Sequence, residues 1–179
     1  MANFTEKAIL QTFQEMLQEM PFDKVTVSAL VSRCEISSNT FYYHYRDIYD
    51  LLDAWLNGEK KAICSSSDAW YGILKRILHK MQENPRIVYH VFDSITRERV
   101  EKYIFSTEEE AVYRFVKKQT EGMAVSEEAV KAVSNFCCYS LIGFILKFVW
   151  VRMDMDVDSS VDMLHAIVDG MIGQIPNLP

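Results

Sequence analysis

The stretch that decides the fold runs from Val25 to Leu52 and has the sequence VTVSALVSRCEISSNTFYYHYRDIYDLL. Thr26 suits the N-cap of a short helix, because its hydroxyl can accept a hydrogen bond from a free amide of the first turn. Ser37 has the same character before a second short helix, and Asp47 before a longer third one. The stretch therefore predicts two short helices joined by a tight turn and followed by a long helix. Such an arrangement is typical of helix-turn-helix proteins that bind DNA.

Helical periodicity continues through the rest of the chain. Apolar residues recur three and four positions apart, as they do on one face of an α-helix. Polar residues suited to helix starts precede several of these runs: Asn3, Asp68, Ser106 or Thr107, Ser126, and Asp158 or Ser159. The alternating pattern of a half-buried strand does not stand out. The sequence predicts an all-α fold, with a candidate boundary between two units at Cys64–Ser67.

The composition is that of an ordered globular protein. Of the 179 residues, 49% are hydrophobic, and there are only 6 glycines and 4 prolines, which disfavours disorder and repeat arrays. The most apolar run, Phe136 to Val151, contains Lys147 and falls short of the roughly 18 uninterrupted apolar residues of a membrane span. No signal or transit pattern opens the chain. We expect a cytoplasmic protein without membrane contact.

The sequence offers no pattern typical of catalysis or metal binding. We find no Ser-His-Asp or Cys-His order, no paired-carboxylate motif and no Gly-rich phosphate loop. The cysteines form no Cys-x-x-Cys pair, and the histidines are not spaced as metal ligands, so buried reduced thiols are the favoured interpretation. We therefore expect that the protein is not an enzyme and that it binds no metal or other cofactor.

Charge is unfavourable for a DNA-binding protein. The formal net charge is −6. Between Met20 and Arg46 the balance is 3 − 2 = +1, from Lys24, Arg33 and Arg46 against Asp23 and Glu35. Attraction to phosphates should be weak, and specific contacts must supply more of the affinity.

The last two predicted helices carry more apolar surface than one subunit needs. The helix from Ser126 to about Val151 is apolar nearly all round over its second half, so two of its faces must be covered. Gly143 in its middle would let another helix approach closely. A two-fold pairing would form a four-helix bundle. The predicted dimer interface consists of Phe144, Phe148, Val151, Val161, Leu164, Ile167, Val168 and Met171.

Taken in order, a set of residues over the first third of the chain resembles the TetR family of bacterial transcriptional regulators. The set comprises Pro21-Phe22-Asp23-Lys24-Val25-Thr26-Val27, Ile36-Ser37, Thr40-Phe41-Tyr42-Tyr43-His44-Tyr45, Asp47 and Asp50-Leu51-Leu52. The resemblance implies a homodimer of roughly nine-helix subunits, with a DNA-binding domain at residues 1–47 and an effector-binding and dimerisation domain at 48–179. The C-terminal part is loosely similar to regulators of the dihydroxyacetone-kinase type.

The chain departs from the family pattern at three places. Cys34 and Glu35 stand where a small residue and glycine usually precede the Ile-Ser of the turn. Because glycine is used there for a positive φ, Glu35 implies either strain or a reshaped turn. Asn39 replaces a frequent glycine, and Ile48 replaces a common lysine, which removes one phosphate contact.

The predicted DNA-binding residues are Lys24, Thr26, Ser28, Ser37, Ser38, Asn39, Thr40, Tyr42, Tyr43, His44 and Arg46. Ser38, Asn39 and Thr40 lie on the first turn of the second short helix, where side chains reach base edges. Tyr43 and His44 are candidates for base or phosphate contact, and Tyr42 contributes to local packing by family analogy. Thr26 and Ser28, at the start of the first of the two short helices, should contact phosphates, and Lys24 and Arg46 should add positive charge there. The alternative is that these residues are ordinary caps, core and solvated surface.

Aromatic residues of the C-terminal part are candidates for an effector pocket. They are Trp70, Tyr71, Met81, Tyr89, His90, Tyr103, Phe115 and Tyr139, and ordinary core packing is the alternative for each. The favoured function is a homodimeric repressor that binds a pseudo-palindromic operator in double-stranded DNA and responds to an unknown small-molecule effector. The alternative is a regulator whose C-terminal domain binds a partner protein, with weak DNA binding of its own.

Overall fold

A computed structural model describes residues 2–63 and 69–175. Within these ranges the chain forms nine α-helices and no strand, as expected. The helices are α1 (Ala2–Glu19), α2 (Val27–Arg33), α3 (Ser38–His44), α4 (Ile48–Ile63), α5 (Trp70–Glu83), α6 (Pro85–Phe92), α7 (Arg97–Gln119), α8 (Glu127–Trp150) and α9 (Val157–Ile172), with a 3-10 turn at Phe22–Lys24. The predicted boundary at Cys64–Ser67, the cap at Asp68 and the side chain of Asn3 lie outside the described residues.

The chain divides into two compact units. The first comprises residues 1–69 and 76–96, and the second comprises 70–75 and 97–179, so α5 contributes to both. The division at residue 47, which separates a DNA-binding domain from the rest, stays a prediction.

The first unit packs α1 to α4 and α6 around one aromatic core. Phe13 of α1 is fully buried and contacts Phe22 and Trp55 edge to face, with ring centroids 6.2 Å apart in both pairs. Such contacts add to the burial of the rings. His90 of α6 is tied to α1 by a 2.7 Å hydrogen bond between its Nδ1 and the carbonyl of Leu17. The core thereby holds the short helices α2 and α3 against α1 and α4.

Local capping marks the starts of α2, α3 and α4. The hydroxyl of Thr26 accepts from the amide of Ala29 at 3.2 Å, and that of Ser37 from the amide of Thr40 at 3.1 Å. The carboxylate of Asp47 accepts from the amides at positions 49 and 50, both at 2.8 Å. The three predicted N-caps are confirmed. Each satisfies an amide that the helix itself leaves free.

The second unit is built on the long helices α7 and α8, and α9 completes its core. Val116, Val130 and Val168, one from each of these helices, are buried together. Ser126 caps α8 as predicted, with its hydroxyl 3.1 Å from the amide of Ala129. By length and composition α8 could span a membrane, but core helices of soluble proteins pass the same test, and 44% of its apolar window is buried here.

Two predicted helix starts in the second unit are wrong. Ser106 and Thr107 begin no helix and lie inside α7, where both hydroxyls donate to the carbonyl of Tyr103 at 2.9 Å. A serine or threonine can bond its own helix in this way instead of capping one. At α9 the cap is Asp156, whose carboxylate accepts from the amide of Ser159 at 2.9 Å. The helix therefore begins at Val157, ahead of the predicted Asp158 or Ser159.

Candidate nucleic-acid interface

The turn between α2 and α3 is a Schellman motif that ends α2 tightly. The amide of Ile36 donates to the carbonyl of Val31 at 3.0 Å, and the amide of Glu35 donates to that of Ser32 at 3.3 Å. The motif needs a left-handed residue after the C-cap, and Glu35 supplies it with a φ of 54°. The turn therefore keeps its usual geometry, and the backbone is strained at Glu35. Of the two alternatives that the sequence left open, strain or a reshaped turn, the structure has the first.

Two buried aromatic rings fix the orientation of α3. Phe41 and Tyr45 are buried in the first unit, with ring centroids 5.7 Å apart. Burial raises the pKa of the Tyr45 hydroxyl to about 12, and this hydroxyl has no hydrogen-bond partner among the described residues. Because the rings anchor one side of α3, its opposite side must face solvent.

The solvent side of α3 carries four exposed residues, Ser38, Asn39, Tyr42 and Tyr43, which we call the reading face. Tyr43 is 81% exposed and Tyr42 57%. Positions 38, 39, 42 and 43 repeat after four residues, so they lie side by side on two successive turns. Polar side chains clustered in this way can reach base edges or phosphates in a groove.

Other predicted contacts on α3 are less available. The hydroxyl of Thr40 lies 2.8 Å from that of Ser37, and Thr40 is half-buried. His44 is also half-buried, and its ring meets that of Tyr43 edge to face at 5.1 Å. The ring of Tyr42 meets that of Phe41 at 5.4 Å, so Tyr42 combines local packing with an exposed hydroxyl end.

The cations near the reading face are all engaged with carboxylates. Lys24 lies 3.0 Å from Asp23, and Arg46 lies 3.1 Å from Asp50. Arg33 bonds both carboxylate oxygens of Glu19, at 2.6 and 2.7 Å. These hydrogen bonds hold the pKa of the Glu19 carboxyl below its usual value. Arg33 is therefore not the available charge that the sequence suggested. The signal for its pairing is the spacing of Glu15 and Glu19, which puts both carboxylates on one side of α1.

The predicted phosphate contacts before and on α2 lie at the surface. Thr26 and Ser28 are exposed, although the hydroxyl of Thr26 is already used as an N-cap. The side chains of Lys24 and Arg46 are 69% and 86% exposed. Exposed ion pairs of this kind are weak, so both cations can exchange their carboxylates for phosphates at little cost.

The predicted effector-pocket residues divide between the two units. Met81, Tyr89 and His90 belong to the first unit, whereas Trp70, Tyr71, Tyr103, Phe115 and Tyr139 belong to the second. In the second unit the ring of Trp70 lies 6.3 Å from Phe115, and that of Tyr71 lies 4.0 Å from His165. His165 was not among the predicted residues. Tyr139 is 63% exposed, and the Nδ1 of His90 is occupied by its bond to α1.

The predicted dimer-interface residues also separate by burial. Phe148, Val161 and Val168 are buried within the second unit and cannot offer their side chains to a partner without repacking it. The half-buried members are Phe144, Val151, Leu164 and Met171. Ile167 alone of the predicted set is exposed, at 56%.

A different set of residues forms the exposed apolar surface of α8 and α9. We call Phe136, Tyr139, Trp150, Met163 and Ile167 the apolar stripe; all five are exposed. Gly143 and Gly170 lie in line with it by helical spacing, and a Cβ added at either would meet no atom within 4 Å. On each of the two helices these positions follow the three- and four-residue repeat, so they share one face of that helix.

The buried cysteines of α8 are poor nucleophiles. Burial raises the pKa of the Cys137 thiol, and burial followed by the neighbouring Cys137 raises that of Cys138 to about 11. The reactive thiolate form is therefore scarce at neutral pH. In residues 2–63 and 69–175 no three His, Cys, Asp or Glu side chains are grouped as metal ligands.

Comparisons with known proteins agree on both parts of the chain. Residues 9–55 match the family model described as bacterial regulatory proteins, tetR family, and residues 68–170 match one described as transcriptional regulator C-terminal region. The structure of a dihydroxyacetone kinase operon activator, DhaS, is similar with a TM-score of 0.69 and 14% identity, covering 96% of this chain and 97% of that one. At this identity the likeness concerns the fold alone. No curated protein matches in sequence.

Proposed function

The chain belongs to the TetR family of bacterial transcriptional regulators, with the family's DNA-binding domain at its N-terminus and a helical C-terminal domain, and we propose that it acts as a cytoplasmic homodimeric repressor. In this proposal two subunits bind a pseudo-palindromic operator, and a small-molecule effector alters that binding. The protein is a transcription regulator and not an enzyme. The observation that carries the proposal is the reading face, which buried Phe41 and Tyr45 hold toward solvent.

The reading face supplies the donors and acceptors that sequence recognition needs. The Asn39 amide can pair with both edge atoms of an adenine, and Ser38 can bond any base. The hydroxyls of Tyr42 and Tyr43 reach further from the helix and can contact bases or phosphates. Lys24, Ser28 and Arg46 complete the contact set by binding phosphates on either side of the groove, which positions α3 without reading sequence.

The apolar stripe supports dimerisation through α8 and α9. Five large apolar side chains are exposed on α8 and α9, and several exposed apolar side chains on one pair of helices suit a subunit interface. Gly143 and Gly170 would let the paired helices approach closely. A two-fold axis beside the stripe would place α8 and α9 of each subunit in a four-helix bundle. This proposal keeps the two predicted helices and Ile167. It replaces the buried Phe148, Val161 and Val168 by Phe136, Trp150, Met163 and Tyr139, the last of which was predicted for the effector pocket.

The aromatic side chains of the second unit are the proposed effector contacts. Trp70, Tyr71, Phe115 and the added His165 form a connected group of rings. A flat or apolar effector could displace part of this packing. The second candidate function is control by a partner protein. It is favoured by the charge balance, since each cation from 20 to 46 is matched by a carboxylate and little net positive charge is left to attract DNA.

The test is selection of random duplex DNA by the purified protein at low salt, alongside an Asn39→Ala variant. We expect a two-fold symmetric sequence with half-sites about one helical turn apart, and loss of an adenine preference in the variant. Sedimentation should show a dimer. Absence of enrichment together with a monomeric mass would refute the proposal and favour the partner-protein alternative. A reporter gene placed behind the selected site would then separate repression from activation.

A further inference from the structure

The carboxylate of Glu35 stands alone at the edge of the reading face. Glu35 is exposed, and its carboxylate forms no ion pair or hydrogen bond with any residue that the structure describes. The nearby acids behave differently, since Asp23, Glu19 and Asp50 each neutralise a cation at 3.1 Å or less. Glu35 is therefore the one acid between residues 20 and 46 whose charge is not matched.

Glu35 also has a backbone conformation that is unfavourable for a residue with a side chain. Its φ of 54° is in the left-handed region, where any residue with a Cβ is strained. Glycine would satisfy the same two turn hydrogen bonds without that strain, because both are made by backbone amides. Arg152 and Met153 also have a positive φ, but of these three residues Glu35 is the one beside the reading face. Strained backbone positions cluster at functional sites, which suggests a role for its side chain.

The position of Glu35 brings its charge within range of a bound duplex. It precedes Ser37, the N-cap of α3, by two residues, and two residues of chain span at most about 7 Å. The first turn of α3 is the part that enters the groove in a helix-turn-helix complex. The charge then lies within about one Debye length of the phosphates that line the groove at physiological salt.

We propose that Glu35 limits the affinity of this regulator for DNA, acting as a fixed negative charge against the phosphates beside α3. This inference rests on the proposed function, since it assumes that α3 meets a duplex. Lys24, Arg33 and Arg46 are each paired with a carboxylate, of Asp23, Glu19 and Asp50, so these pairs sum to 3 − 3 = 0 and Glu35 makes the local balance −1. Removing its charge returns the balance to 0. One charge about 8 Å from two or three phosphates in screened water changes a binding constant roughly threefold. For a dimer with two reading faces on one operator the factor is about tenfold.

The experiment compares four proteins on two duplexes. Wild type, Glu35→Gln, Glu35→Gly and Glu121→Gln are titrated by fluorescence anisotropy against the selected operator and against a random duplex of equal length. Glu35→Gln removes the charge alone, whereas Glu35→Gly removes the charge and the strain. Glu121→Gln is the matched control, because it changes the net charge equally from an exposed position in the second unit. Titrations are run at about 0.03 M and about 0.15 M salt, where screening differs about twofold.

We expect both Glu35 variants to bind the operator about tenfold more tightly than wild type at low salt, with a smaller gain at the higher salt. Both should also tighten on the random duplex, and Glu121→Gln should behave as wild type. A wild type that shows no measurable binding to the random duplex, with a Glu35→Gln variant that binds it, would also support the inference. Unchanged or weaker binding by Glu35→Gln, or an equal gain in Glu121→Gln, would refute the inference while leaving the proposed function intact. Failure of all four proteins to bind would overturn both.

Discussion

Replacing Glu35 by glycine should stabilise the first unit, although the change removes a side chain and adds no contact. The residue sits at the left-handed position of the Schellman motif, with a φ of 54°. Its two turn hydrogen bonds, from the amides of Glu35 and Ile36, are made by backbone and survive the change. The exposed carboxylate has no partner to lose among the described residues.

The magnitude follows from two opposing effects on the backbone. A residue with a Cβ in the left-handed region costs about 1–2 kcal/mol relative to glycine. Glycine gives back about 0.4–1 kcal/mol, because it makes the unfolded chain more flexible. The free energy of unfolding should therefore rise by about 0.5–1 kcal/mol. With a urea dependence of about 2 kcal/mol per molar, the unfolding midpoint moves upward by roughly 0.3–0.5 M.

Urea unfolding followed by circular dichroism measures this shift, and native-state hydrogen exchange locates it. Exchange of the amides in α2 and α3 should slow if the gain belongs to the turn. The control is Glu35→Ala, which removes the carboxylate but keeps the Cβ, and whose midpoint should stay close to that of wild type. If Glu35→Ala and Glu35→Gly stabilise the protein equally, the cause is the charge, and the reasoning from backbone strain is wrong.

Three further outcomes are expected. Tyr43→Ala should weaken operator binding without changing the circular dichroism spectrum, since the side chain is 81% exposed; unchanged affinity would remove Tyr43 from the contact set. Ile167→Glu should yield monomers in sedimentation, because it places a charge in the apolar stripe, whereas Lys131→Glu, off the stripe on α8, should leave the dimer. Above pH 10 the protein should lose stability, because burial raises the pKa of the Tyr45 hydroxyl to about 12 in the folded protein. The raised pKa contributes stability that is fully present below pH 10 and is lost as the pH rises through 12. The variant Tyr45→Phe should lack that part of the loss in unfolding measurements made across this range.

Helix ends in the first unit could be predicted because capping is a local interaction. Thr26, Ser37 and Asp47 accept from amides no more than three residues ahead, so the sequence contains both partners of each bond. The turn at Glu35 is also short and local, yet its conformation could not be predicted from the neighbouring residues. The sequence allowed either strain or a reshaped turn. In the fold, α2 packs on both α1 and α3, and the turn takes the strained form with a φ of 54° at Glu35.

The same local rule failed at Ser106 and Thr107. Their hydroxyls can cap a new helix or bond a carbonyl of the helix they are in, and both choices satisfy the side chain. Val100 and Ile104 on α7 are buried. Their burial favours one continuous helix that includes the charged stretch from Arg97 to Lys102, so the two hydroxyls bond within that helix. That burial depends on contacts distant in sequence, and no window around the two hydroxyls contains it.

The sequence by itself determined the helical class of this protein, the short helices of its DNA-binding domain and the presence of surplus apolar surface on its last two helices. Only the tertiary structure decided which apolar residues remain exposed. Periodicity identifies a side chain as apolar but says nothing of what covers it. Phe148 and Val161 are covered within their own subunit, whereas Phe136 and Trp150, equally apolar, stay in solvent. The difference arises because burial is a property of packed neighbours, and those neighbours are brought together only when the chain has folded.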